Sequence, residues 1–246
     1  MDIKCRASGM MPDAVVLAEG VNALVTEKAQ AALGMKGGRV RQDWALGVKE
    51  IIGLPRKTIE DRFLLDEGQG AAIDFIGTPF DGLIGGGFLY TAKEALHLGF
   101  AGRVESLVES GLSPNDVMER FKSHPVVRRY IAGGELLEYS AHRIPEGGFD
   151  AVGELVANGL LVVGDSAGLV NMSLYKEGTN HAMESGKLAG ETIAAAKPEG
   201  EFSKRALAVY EARLRKGIAM ADLEKGRDIP EILSTSPNLM SLYPRK

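Results

Sequence analysis

Between Asn158 and Ala196 the chain passes from a glycine-bounded apolar run through an acidic glycine turn into a long helical pattern, and few folds accommodate that order. Leu160-Leu161-Val162-Val163 lies between Gly159 and Gly164, which predicts a short strand buried on both faces, as in a parallel sheet covered by helices. Gly164-Asp165-Ser166-Ala167-Gly168 ends the strand, and Glu177-Gly178-Thr179-Asn180 opens a helix. In that helix Ala182, Met183, Gly186, Leu188, Ala189, Gly190, Ile193 and Ala194 recur at helical spacing. The small residues at 182, 186 and 190 predict a close approach to another backbone.

The chemistry available there follows from the element types. An Asp at the carboxyl end of a strand in an open parallel sheet sits where such folds bind ligands, and its carboxylate accepts hydrogen bonds from sugar-like hydroxyls. The amino end of the helix near Thr179 offers unpaired backbone N–H groups and a partial positive charge, suited to an oxygen that is or becomes negative. The competing interpretation is that Asp165 and Thr179 only cap helices, and spacing alone does not choose between the two.

Gly164-Asp165-Ser166-Ala167-Gly168, followed by Glu177-Gly178-Thr179-Asn180-His181-Ala182-Met183-Glu184-Ser185-Gly186, resembles the second FAD-binding motif of flavoproteins of the hydroxylase and reductase type. The resemblance implies that Asp165, in the turn between Gly164 and Gly168, contacts the ribitol chain of FAD. It also implies that Gly178, Thr179 and Asn180 face the N1–C2=O edge of the flavin. Within that superfamily the sequence is most similar to the FixC and electron-transfer-flavoprotein:quinone oxidoreductase branch. The Gly178-Thr179-Asn180 helix entry, Ser185-Gly186-Lys187-Leu188-Ala189-Gly190 and the tail from Ser236-Pro237-Asn238 to Tyr243-Pro244 carry the closer match. The branch implies an FAD-dependent oxidoreductase that takes electrons from a reduced electron transfer flavoprotein and passes them toward quinone. A geranylgeranyl-reductase-like or hydroxylase-like flavoenzyme and a non-catalytic truncated piece are the alternatives.

Composition narrows the partners. The chain has 246 residues, 45% of them apolar, enough for one large domain or two small ones. Net charge is −4 with no block of like charges, so no feature points to nucleic acid. Cys5 is the only cysteine, so neither an internal disulfide nor a Cys-ligated iron–sulfur cluster can be built from this sequence. The quinone-reducing branch needs such a cluster, which a separate ferredoxin-like iron–sulfur protein would supply. No run of 18 apolar residues exists, and the amino terminus lacks a signal-peptide pattern, so the expectation is a cytoplasmic protein, peripheral at most to the inner membrane face.

In chain order, Ala14-Val15-Val16-Leu17-Ala18 predicts a short buried strand followed by Glu19-Gly20. This resembles the strand and acidic-glycine turn that precede the substrate domain in the same flavoproteins, with Glu19 where Asp is usual, and it implies that Glu19 and Gly20 border the flavin pocket. The alternative is that the Gly20 turn only joins strand to helix. The family opens with a G-x-G-x-x-G pyrophosphate turn, and none of the 31 glycines falls in that pattern. The expectation is therefore the carboxyl-terminal part of such a flavoprotein.

The middle of the chain changes pattern. Trp44–Ile52 predicts a strand, Thr58–Leu65 a short helix capped by Thr58, and 71–77, 87–91 and 95–100 strands of an antiparallel sheet. Ser113-Pro114-Asn115-Asp116 is a strong helix start, Pro125 interrupts that helix, and Leu136–Ser140 reads as a return strand. Small residues in Gly82–Tyr90 beside Phe88 and Tyr90 suggest a slot for a flat ring, with a purely structural glycine-rich strand as the alternative. His97, His124, His142 and His181 have no metal spacing, so no metal site is expected. Glu201–Met220 predicts one helix with Phe202, Leu207, Tyr210, Leu214 and Ile218 on a stripe, and the apolar Leu239–Tyr243 segment is expected to pack back.

The combined expectation is an α/β chain, α+β overall: an incomplete FAD-binding Rossmann-like domain with an inserted mixed or antiparallel-sheet substrate domain and carboxyl-terminal helices. Residues 1–26 read as a remnant of the FAD-binding domain and 27–150 as the substrate or quinone-type domain. Residues 151–200 carry the second motif, and 201–246 the helical end.

Overall fold

The computed structural model describes residues 12–38, 43–77, 80, 82–171, 177–236 and 239. In chain order the elements are β1 (Val15–Leu17), α1 (Leu24–Leu33), β2 (Trp44–Gly53), α2 (Arg56–Phe63), β3 (Ala72–Phe75), β4 (Gly85–Thr91) and β5 (Ala95–Arg103). There follow α3 (Val104–Ser110), α4 (Pro114–Ser123), α5 (Pro125–Ile131), β6 (Glu135–Pro145), α6 (Gly148–Ala151), β7 (Val156–Ala157) and β8 (Leu160–Val162). The chain continues with α7 (Thr179–Ala196), α8 (Lys204–Leu214), α9 (Ile218–Lys225) and α10 (Ile229–Thr235). It divides into two compact units, one comprising residues up to Asp43 and Ile144–Glu231, the other Trp44–Arg143 with the segment from Ile232.

In the first unit the sheet order is β1-β8-β7, with β1 parallel to β8 and β7 antiparallel to it. All three residues of β8 are buried, as expected for a strand with neighbours on both edges and helices on its faces. β1 is shorter than the predicted run, and Val16, on one face of it, is 39% exposed. Helices α7, α8 and α9 cover the sheet with Leu188, Ala189, Leu207, Tyr210, Leu214, Met220 and Leu223 in one apolar cluster. The Tyr210 hydroxyl donates to the Val162 carbonyl at 2.7 Å, which ties α8 to β8, and burial raises the phenol well above its ordinary pKa.

Two expectations for this unit change. The predicted helix over 201–220 is broken into α8 and α9 at Gly217 because Glu184 of α7 caps α9, accepting from Ile218 N at 2.9 Å and Ala219 N at 2.6 Å. A Cβ at 217 would fall 2.4 Å from Glu184 Oε1, so the break needs glycine. Ile218, expected on the buried stripe, is 75% exposed. Of the three small residues on α7 only Ala182 meets a backbone, opposite Gly164, whereas Gly186 and Gly190 face open space.

The boundary of the inserted region also differs from the 27–150 read from the sequence. Ala29 and Leu33 of α1 pack on Leu17, Ala157 and Leu160. The following segment lies against the α6 loop, where Glu154 N donates to Lys36 O at 2.8 Å and a Cβ on Gly38 would collide with the Ala151 backbone. Residues 27–38 therefore belong with the first unit.

The second unit is a five-stranded sheet in the order β3-β4-β5-β2-β6, antiparallel at β3–β4, β4–β5 and β5–β2. Leu89, Leu96, Leu98, Phe100, Val48 and Ile52 meet Ile59, Leu107, Val117, Met118, Phe121 and Val127 in its core. Helix α4 begins with the predicted capping box, Ser113 and Asp116 each accepting from the other's backbone N–H. Helix α2 starts two residues before the predicted cap, with Pro55 at its N-cap, so Thr58 is an interior residue. At the ends of the unit the Arg143 guanidinium lies 4.5 Å from the Trp44 ring centroid. Most of the tail expected to pack back, with the Ser236–Pro244 resemblance, lies outside the described residues, as does Cys5.

The core of the second unit generates a test. A Cβ at Gly87 would sit 2.6 Å from Phe121 and 2.7 Å from Phe80, so Gly87→Ala overpacks the ring cluster. Urea unfolding should show a loss of about 1–3 kcal/mol; unchanged stability would contradict this packing.

Candidate functional site

Two turns and one helix mouth meet in the first unit. β8 ends at Gly164, whose φ of +61° turns the chain into a 3₁₀ turn over Gly164–Ala167, and Gly168 at φ +74° closes it. Asp165 is thereby carried on the carboxyl-side crest of the buried strand and is half-buried. The Glu19-Gly20 turn follows the parallel neighbour β1, and the Ser166 hydroxyl donates to Gly20 O at 2.9 Å, fastening the two crests together.

Helix α7 is held against this crest from its own interior face. Ser185, fully buried, accepts from Gly164 N at 3.0 Å and donates to Ala182 O at 3.0 Å. Its N-cap is Gly178, with no side-chain cap hydrogen bond. A Cβ on Gly178 would lie 3.3 Å from Asp165 Oδ1 and 3.3 Å from Val170 Cγ2. The carboxylate at 165 and the mouth at 178–180 are therefore neighbours, with no side chain on residue 178 between them. Thr179 and Asn180 are exposed, while the Asn180 side chain accepts from His181 N at 3.1 Å.

Glu19 is placed differently from Asp165. Its carboxylate accepts from Val25 N at 2.9 Å, Thr26 N at 2.6 Å and the buried Thr26 hydroxyl at 2.6 Å, so it stitches the turn to the start of α1. The Thr26 hydroxyl first, then the Val25 N–H, hold its carboxyl below the ordinary range. Ala23, between them, sits at φ 44°, one of two described non-glycine residues with positive φ. The structure thus brings Glu19, Gly20, Gly164, Asp165, Gly168, Gly178, Thr179 and Asn180 around one crest, with the oxygens of Glu19 already engaged by the protein.

This geometry fits an FAD at the crest. A half-buried carboxylate beside a glycine that leaves the approach open, and a helix amino end without a side-chain cap, are what a polyol and the polarised edge of a ring require. Ser166, Ser185 and Thr26 are the supporting residues that the sequence did not single out. The signal was present in part: His181, Ser185, Leu188, Ala189 and Thr192 all lie on the buried stripe of α7, and polar residues on such a stripe need partners.

In the second unit the glycine-rich strand β4 is not an open slot where it was expected. Space beside Gly87 is filled by Phe80 and Phe121, beside Gly86 by Phe75 O, and beside Gly85 by Ala101 O. Phe88 and Tyr90 instead stack at 5.1 Å on the same side of the strand, with the Phe88 ring over Gly99. Burial, then the Asp74 carboxylate, raises the Tyr90 phenol. No group of described residues has metal-ligand geometry, and no helix of the described residues is long and apolar enough to cross a membrane.

Residues 44–144 match the family described as ETF-QO, ubiquinone-binding. The chain is 41% identical over 232 residues to the probable electron transfer flavoprotein-quinone oxidoreductase YdiS of Escherichia coli K12, covering 94% of this chain and 53% of that protein. It is 42% identical over 238 residues to the protein FixC of Rhizobium meliloti, covering 96% of this chain and 54% of that one. Among solved structures, a geranylgeranyl bacteriochlorophyll reductase-like protein from Thermoplasma acidophilum aligns at TM-score 0.68 with 15% identity, covering 94% of this chain and 54% of that one. The flavin-dependent brominase Bmp2 aligns at 0.59 with 13% identity, covering 94% of this chain and 58% of that one. The fold of both units is thus that of flavin-dependent enzymes.

The geometry at Glu19 and Ser185 makes two predictions. Because the Glu19 carboxyl is depressed in the folded state, its contribution is present at neutral pH and lost as pH falls through the carboxylate range, about 4. Glu19→Gln should lower the urea midpoint at neutral pH more than in acid; an equal loss at both would contradict the cap. Ser185→Ala strands the buried Gly164 N–H and should cost about 1–3 kcal/mol in urea unfolding, whereas a neutral change would remove Ser185 as the fastener. The chain spans about half the length of the curated relatives it matches, and over nearly all of its own length it is similar to FixC and to a probable electron transfer flavoprotein-quinone oxidoreductase.

Proposed function

We propose that the crest formed by Asp165, Gly178, Thr179 and Asn180 binds the ribitol and pyrimidine edge of FAD, in an oxidoreductase that moves electrons from a reduced electron transfer flavoprotein toward quinone. The observation that carries this reading is the adjacency of the Asp165 carboxylate to the Cβ-less Gly178 at the uncapped mouth of α7. The 41–42% identity to FixC and YdiS supports the same assignment.

When bound, FAD supplies the two-electron chemistry, so the chain needs no side-chain nucleophile. The residues hold and tune. Asp165 accepts from ribitol hydroxyls. The Thr179 and Asn180 backbone N–H groups, with the helix dipole behind them, stabilise negative charge at the N1–C2=O edge by up to ~2 kcal/mol. Such a bias raises the two-electron potential by some tens of millivolts, at roughly 30 mV per ~1.4 kcal/mol. It tunes the direction of transfer. Gly164 and Gly168 shape the turn, while Glu19 and Gly20 form its second wall, Glu19 by capping α1.

The match of residues 44–144 to a ubiquinone-binding family supports quinone as acceptor, with the Phe88–Tyr90 stack the most suitable surface in that unit for a flat ring. Cys5 is the only cysteine of these 246 residues, so an iron–sulfur cluster on the path to quinone lies outside them, and we place it on a ferredoxin-like protein, with quinone reached by peripheral membrane contact.

Mixing the chain with FAD and recording flavin absorbance after gel filtration tests the assignment. The expected result is retained flavin, with Asp165→Ala weakening FAD binding about tenfold or more, as for loss of a charged hydrogen bond. Unchanged affinity in Asp165→Ala contradicts the ribitol role. Reduction of the bound flavin by a nicotinamide rather than by a reduced electron transfer flavoprotein favours the geranylgeranyl-reductase-like reading. A folded chain that remains colourless leaves only a non-catalytic role for it alone.

A further inference from the structure

The mouth of α7 has a second support that neither glycine turn contains. His181, 1% exposed, lies in the first turn of α7, with Nδ1 3.3 Å from the Leu169 carbonyl and Nε2 3.1 Å from Asp222 Oδ2. The buried Asn171 donates its side-chain N–H to the same Asp222 oxygen at 2.6 Å, and its backbone N–H donates to Glu177 O at 2.8 Å. One carboxylate on α9 therefore joins the first turn of α7 to the residue whose backbone bond draws 171 and 177 together.

Asp222 is the shared anchor of this arrangement. The Asn171 amide first, and then His181, hold its carboxyl below the ordinary range, with Lys225 further along α9 acting on the same carboxylate.

We propose that Asp222 is a positioning residue of the site: by holding the buried His181 ring and the Asn171 amide on one carboxylate, it fixes the direction in which the Thr179 and Asn180 N–H groups point. The inference rests on the reading that α7 presents those groups to a bound oxygen. Neither Asp222 nor His181 touches that oxygen. Their effect passes through the first turn, in which Ala182 N donates to Gly178 O at 2.8 Å.

The test is backbone amide exchange by NMR and FAD titration on the full chain. Asp222→Ala removes both bonds to the carboxylate and should speed exchange of the hydrogen-bonded Asn171 and Ala182 amides at least about tenfold. It should also weaken FAD binding about tenfold while the Gly164 amide beside Asp165 stays protected, and Asp222→Glu should restore part of each. The milder His181→Gln removes one arm and gives the same readout if Asp222→Ala does not fold. Ala182 exchange as in wild type in either variant overturns the proposal. Faster Ala182 exchange with no change in FAD binding leaves the buried anchor standing and refutes its role at the flavin edge.

Discussion

The first unit depends on how closely α7 lies against the end of β8. Gly164 and Ala182 approach until a Cβ on the glycine would be 3.3 Å from the alanine methyl, and the Ser185 hydroxyl closes the gap by accepting from Gly164 N while donating back into its own helix. A larger residue at 164 or 182 would lift the helix, and a glycine with φ +61° is what turns the strand there. Once that contact is made, the Asp165 carboxylate and the α7 mouth are brought together without further adjustment. Tyr210 on Val162 and the Glu184 cap on α9 then lock the covering helices to the same frame.

Polar side chains in this unit work mainly on backbone groups at element ends. Glu19 serves the start of α1, Glu184 the start of α9, Ser166 the Gly20 carbonyl and Ser185 the Gly164 N–H. Each satisfies a donor or acceptor that helix ends and tight turns leave unpaired. The mouth of α7 is the contrasting case, because its N-cap is Gly178, which has no side chain to cap it, and among the described residues only the His181 N–H is taken up by a side chain, that of Asn180. A long helix whose N-cap is a glycine, next to a half-buried carboxylate, is the physical basis for proposing the cofactor there.

Much of this was legible in the sequence because the signals are local. The Gly159–Gly164 bracket around four apolar residues located β8, the Ser113–Asp116 box located α4, and the glycine-separated β-rich runs located the antiparallel sheet. Misplaced features depended on tertiary partners. The break at Gly217 arises from Glu184, 33 positions earlier, and the periodicity of 201–220 carries no trace of it. The glycines of β4 read as vacant because the rings that fill them, Phe80 and Phe121, come from other segments. His181 stood out in the sequence only as a histidine without metal spacing, because its partners Leu169 and Asp222 lie on both sides of it in sequence and only the fold brings them together.

The central claim is that one bound molecule touches Asp165 and the amino end of α7 together. A structure determined with FAD present, in the full-length assembly if the chain alone does not retain it, measures this directly. The account predicts ribitol hydroxyls within hydrogen-bond distance of the Asp165 carboxylate and the flavin C2 carbonyl oxygen facing the Thr179 and Asn180 amides. Flavin density elsewhere, with the space beside Gly178 closed by protein, would contradict it.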